Sequence, residues 1–121
     1  MTRQTGEPVR TLAGAAARAA GEKQAHDTVI LDVGQVLAIT DLFVITSGAN
    51  TRQVRTIVEE VEKLVKEAGG PGPIRIEGLS DAGWVLMDFG DFVVHVFLDE
   101  VRRFYDLERL WADAPRIELA G

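Results

Sequence analysis

The side chains able to do acid–base or metal chemistry are few and scattered. The 121-residue chain has two histidines, no cysteine and nineteen carboxylates. Without a thiol there is no disulfide, no cysteine nucleophile and no thiolate zinc site, which fits a reducing compartment. His26 and His95 stand in unrelated settings with no H-E-x-x-H spacing, so no metal site is indicated. His95 interrupts the apolar run FVVHVF, and a core histidine with one satisfied partner is the plainer reading. Ser47-Gly48 falls between an apolar run and a helix start, where an anion could dock. It matches neither G-x-G-x-x-G nor G-x-x-x-x-G-K-[ST], and a turn is the plainer reading. Asp88 and Asp91 flank one short polar break. Turn chemistry and solvation explain them, and the sharper alternative is an acidic patch offered to a basic partner. Trp84 is more informative. If Val85 and Met87 point one way along a strand, Trp84, Leu86 and Asp88 point the other. Left uncovered, that row is what a protein-binding hot spot looks like; covered, Trp84 is core, and the pattern alone allows both. Most of Phe104, Tyr105 and Trp111 read as packing, and Arg102-Arg103 as solvated or paired with nearby acids.

The elements that must position these residues centre on WVLMDFGDFVVHVF, residues 84–97. Two apolar runs around Asp88-Phe89-Gly90-Asp91 predict a hairpin, with Gly90 at positive φ because it lacks the Cβ that would clash. The second run is apolar almost throughout, which predicts a central strand covered on both faces. Residues 1–8 show no apolar periodicity and predict a disordered arm. An alanine-rich helix is expected over 9–25, then short strands over 28–31 and 42–46. Asn50 with Gln53 three residues later marks an N-cap. Val54, Ile57, Val58, Val61, Leu64, Val65 and Ala68 then recur at helical spacing until Gly69-Gly70-Pro71. Residues 73–77 alternate as an edge strand, Asp106 is placed to cap a last helix over 107–112, and the tail from Pro115 reads as loose. The order α-β-β-α-β-β-β-α predicts one α/β or α+β domain over 9–113, with helices flanking a mixed five-stranded sheet.

Composition bounds the function. Hydrophobic residues make up 46% and charged residues 26% of the chain, as in an ordinary globular domain. No apolar run approaches the roughly 18 residues of a membrane span, and no signal-peptide core is visible. Glu7, Glu22 and the scarcity of serine argue against an organelle transit peptide, despite Arg3, Arg10 and Arg18 among the alanines. The net charge is −6. An acidic domain gains nothing from releasing phosphate counterions, so a basic protein is the expected partner and nucleic acid is not.

Taken together, DLFVITSG at 41–48, Arg52-Gln53, GWVLMDFGD at 83–91, VHVF at 94–97 and RFYDLERLW at 103–111 resemble the ribosomal silencing factor (Iojap-like) family. The similarity runs from about residue 25 to 111, in the family's order. It implies a nucleotidyltransferase-like topology without catalysis, a homodimer and a cytoplasmic protein. It also implies binding to the large ribosomal subunit through the basic ribosomal protein L-fourteen. Occupying that surface would block joining of the small subunit and repress translation. Carried over by motif, the partner-facing residues are Trp84, Leu86, Asp88 and Asp91, with Met87 and Phe89 beside them. Blocking by occupancy needs no metal and no cofactor.

Two other functions stay in view. A nucleotidyltransferase would hold two metals on paired carboxylates after a Gly-Ser turn. Here Ser47-Gly48 has the reverse order, and no Asp-x-Asp follows in 51–68. A dimeric interaction protein with a non-ribosomal partner is the other, since fold and charge alone do not identify the partner.

Overall fold

The computed structural model describes residues 6–118. The predicted arm over 1–8 therefore lies mostly outside the described residues, as does the end of the tail, 119–121. Helix α1 spans Glu7–Glu22 and begins two residues earlier than expected. Pro8 sits in its first turn, where a missing N–H costs nothing. It also stops earlier: Gln24 adopts a positive φ of 59°, so His26 opens strand β1 (His26–Asp32) instead of closing the helix.

Strand β2 (Leu42–Gly48) is buried at every position. Helix α2 (Thr51–Glu67) follows, and the Asn50 side chain accepts from the Gln53 backbone N–H at 2.8 Å. Val54, Ile57, Val58, Val61 and Val65 form its buried stripe, each contributing about 1.5–3 kcal/mol of burial. The helix ends in a Schellman pattern. Gly69, at φ 92°, donates to the Lys66 carbonyl and Gly70 to that of Val65. Strands β3 (Arg75–Glu77), β4 (Trp84–Asp88) and β5 (Phe92–Leu98) complete the sheet.

The sheet order is β1-β2-β5-β4-β3, parallel between β2 and β5 and antiparallel elsewhere. The fold is thus the expected mixed five-stranded sheet with flanking helices, and FVVHVF is its central strand. The hairpin turn has Gly90 at φ 88°, with its N–H held by Asp88 Oδ1 at 2.8 Å. Alternation then sorts the side chains. Leu42, Val44, Val85, Met87, Val94 and Val96 pack under α1 and α2, where the alanines of α1 allow close approach. Leu31, Phe43, Ile45 and Phe97 form a second cluster on the other face, with Trp84, Val101 and Trp111 packed against it.

The C-terminal segment departs from expectation twice. Asp99–Tyr105 forms a helix, α3, and Asp106 caps nothing with its side chain; its left-handed φ of 47° separates α3 from the short α4 (Leu107–Leu110). Residues 115–117 are not loose. The Asp32 N–H donates to the Pro115 carbonyl at 2.8 Å and the Ile117 N–H to that of Ile30 at 2.9 Å, so the segment covers part of the free edge of β1. An edge strand leaves donors and acceptors open, and a nearby chain end satisfies them.

Candidate functional site

On the face of β4 turned away from α1 and α2, three of the six expected partner-facing residues form one row. Trp84, Leu86 and Asp88 are each half-buried. Met87 and Phe89 do not join it. The strand pleat turns Met87 into the core under the helices, and Phe89 stacks on Phe92 at 4.7 Å, buried in the same cluster. Asp91 is exposed on the turn, and its carbonyl accepts the Asp41 N–H at 2.8 Å, tying the hairpin to the start of β2.

Trp84 is held on three sides. Its indole lies on Phe97 at 4.8 Å, meets Tyr105 at 5.2 Å, and donates Nε1–H to His95 Nδ1 at 3.1 Å. His95 is the core histidine with one partner that its apolar strand suggests. Burial pushes its pKa down from 6.5 to about 4, so the ring is neutral at pH 7. A neutral ring that accepts at Nδ1 carries its proton on Nε2. That Nε2–H is buried and has no hydrogen-bond partner. Asp88 faces its register partner Arg75 on the neighbouring strand β3, with 3.5 Å between Oδ2 and the guanidinium.

Beside this row lies an apolar groove of about 420 Å³. Phe43, Leu86, Val93 and His95 line it from three strands, Thr40 contributes from the approach to β2, and Ile39 and Ile74 stand on it largely exposed. Thr40 Oγ1 is a second buried polar atom without a partner. Sequence reasoning missed Thr40, Ile39, Phe43 and Ile74. The parallel pairing of β2 with β5 brings Ile39, Thr40 and Phe43 towards β4, and the antiparallel β3–β4 pairing brings Ile74, whose N–H donates to the Asp88 carbonyl at 2.7 Å. His95 was recoverable, because a four-residue turn sets Leu86 opposite it.

A larger polar cleft, about 650 Å³, opens at the other end of β2 and β5 around Ser47, His26, Asp99 and Arg102. Arg102 is buried and donates to the carbonyls of His26 (2.9 Å) and Asp27 (2.7 Å), to Ser47 Oγ (3.1 Å) and to Glu108 Oε1 (2.7 Å). Burial alone would raise the Asp99 carboxyl, but hydrogen bonds from Ser47 and His26 and the charges of His26 and Arg103 hold it below the usual range. Ser47 and Gly48 are neither an anion site nor a turn: they are the last two residues of β2, and the Ser47 hydroxyl is already engaged by Arg102. Among the described residues, no group of three or more His, Asp or Glu side chains could hold a metal ion. No helix among them is long and apolar enough to cross a membrane.

Comparison with known proteins supplies the context for this geometry. A family model described as "Ribosomal silencing factor during starvation" matches residues 6–121. A ribosomal silencing factor of Halalkalibacterium halodurans is 42% identical over 106 residues, covering 88% of this chain and 90% of the relative. A mouse protein named for mitochondrial assembly of the ribosomal large subunit is 35% identical over 92 residues, covering 74% of this chain and 40% of its own length. A crystal structure of a Bacillus halodurans protein superposes with a TM-score of 0.77 at 38% identity, covering 91% of this chain and 99% of that one.

Proposed function

The chain belongs to the ribosomal silencing factor family, whose members are ribosome-associated regulators of translation, and we propose that it binds the large ribosomal subunit and keeps the small subunit from joining. In this reading the contact is the basic ribosomal protein L-fourteen, and the docking surface is the Trp84–Leu86–Asp88 row with Asp91 at its edge. One observation carries the proposal: a braced, half-buried indole in line with a carboxylate, on a chain of net charge −6. A rigid aromatic anchor supplies binding energy at little entropic cost, and the surrounding acids steer and orient a basic partner. Occupancy is sufficient for the block, so the reading invokes no catalytic group. We include a homodimer and a cytoplasmic location in it, the first checked by sedimentation equilibrium.

Co-sedimentation with purified large subunits tests the surface. Trp84→Ala and Asp88→Lys should weaken pelleting with the subunit roughly 30-fold or more while circular dichroism shows a folded domain. A folded variant of either kind that pellets as the original does would remove this face from the account.

A further inference from the structure

Two unpartnered buried polar atoms, His95 Nε2 and Thr40 Oγ1, belong to side chains that line the same apolar groove. Buried polar groups are nearly always paired, because each one left alone forfeits its hydrogen bond to water. Elsewhere the chain observes this closely: the Arg102 guanidinium, at 9% exposure, meets four acceptors. Two exceptions in one concavity are therefore informative. The walls are Phe43, Leu86 and Val93, and the most exposed residues of the rim are Ile39 and Ile74, at 82% and 71%. Asp88 supplies a carboxylate at the same opening, held only loosely by Arg75 at 3.5 Å, so that a second cation can share it.

We propose that the groove receives an aliphatic side chain of the basic ribosomal partner, whose adjoining peptide group supplies the hydrogen bonds that His95 and Thr40 lack. The proposal rests on the ribosomal reading of the Trp84 face and deepens it. His95 offers a donor at Nε2, because its Nδ1 is committed to Trp84; a backbone carbonyl is the matching acceptor. Thr40 can donate or accept and completes the pairing of the same segment. Ile39 and Ile74 turn aside by side-chain rotation to admit it, and a lysine or arginine next to the aliphatic residue reaches Asp88. His95 thereby links two tasks: one ring nitrogen orients the indole and the other reads the partner's backbone. A site whose polar groups are satisfied only by the right ligand discriminates strongly against ligands lacking the matching group.

The test pairs thermal stability with affinity for purified large subunits. Thr40→Val keeps the shape and deletes the orphan hydroxyl. It should melt a few degrees higher, because an unpaired buried group is gone, and bind about tenfold more weakly. His95→Asn keeps an acceptor near Nδ1 and removes the Nε2 donor. It should leave the Trp84 indole N–H proton resonance shifted as in the original protein and also bind about tenfold more weakly. If Thr40→Val melts lower, the hydroxyl is satisfied within the fold and the inference is wrong. Unchanged affinity in both variants overturns it as well, as does loss of self-association in place of subunit binding, which would make a second copy the occupant. Trp84→Ala separates the two levels. Binding lost there but kept in Thr40→Val and His95→Asn defeats only the groove inference, whereas binding kept in Trp84→Ala defeats the ribosomal reading of the face.

Discussion

The polar cleft and the apolar groove lie at opposite ends of the β2–β5 pair, and they differ in what they leave undone. The cleft is larger and more charged, and by size and ionisable content it looks like the active centre. Its central group, Arg102, is nevertheless fully occupied in joining β1, β2 and α4. The groove is smaller, and two of its polar groups have no partner. Readiness for a ligand is better read from unmet hydrogen bonds than from volume or charge, because an internally paired ion cluster has already consumed its capacity to bind.

This contrast predicts that damage to the cleft costs stability and damage to the groove costs binding. The largest effect should come from Arg102→Met, which strands two carbonyls, a hydroxyl and a carboxylate. A loss of about 3–5 kcal/mol in urea denaturation is expected, while the fraction that remains folded still binds large subunits normally. Acid should act on the groove side by a comparable amount. A free imidazole takes its proton near pH 6.5, and His95 in the folded chain does so only near 4. Between those values the unfolded chain holds the extra proton, so the stabilisation is complete above about pH 6.5 and is lost as the pH falls towards 4. Urea midpoints should show a decline of about 3 kcal/mol across that window, missing in His95→Asn. A parallel decline in the variant would show that His95 is not the group responsible.

Smaller changes sharpen the same contrast. Trp84→Ala should weaken subunit binding by about 2 kcal/mol or more, roughly 30-fold, measured by co-sedimentation. Glu108→Gln keeps an acceptor for Arg102 but removes the charge, and should lower stability by only about 1 kcal/mol with no change in subunit affinity. An affinity loss there would mean that the cleft takes part in docking after all.

How much of this was legible in the chain depends on how local each signal is. Helix α2 was, because its apolar period, Asn50 cap and Gly69-Gly70 stop all lie within twenty residues or so and agree. The hairpin was legible through Gly90 and the flanking apolar runs, and its pleat separated Trp84, Leu86 and Asp88 from Val85 and Met87. Grouping Met87 and Phe89 with the partner-facing residues followed motif adjacency, and the pleat overrides adjacency. Helix α3 was not legible. Its sequence is charged and aromatic without a clear apolar stripe, and Arg102 anchors it through acceptors more than fifty residues away. The pairing of residues 115–117 with β1 was hidden for a similar reason, since an edge strand recruits whatever chain end is near. The groove was the least legible feature. Thr40, Phe43, Ile74, Leu86 and His95 come from four parts of the chain, and only the sheet order brings them together.

The central claim is that the braced Trp84 face, by occupying the large subunit, prevents its partner from joining. Sucrose-gradient sedimentation of purified small and large subunits, with the chain added in stoichiometric amount, measures this directly. The account predicts that the original chain leaves the subunits as separate peaks and that folded Asp88→Lys allows the joined particle to form. Joined particles in the presence of the original chain, or separate peaks with the variant, would contradict it.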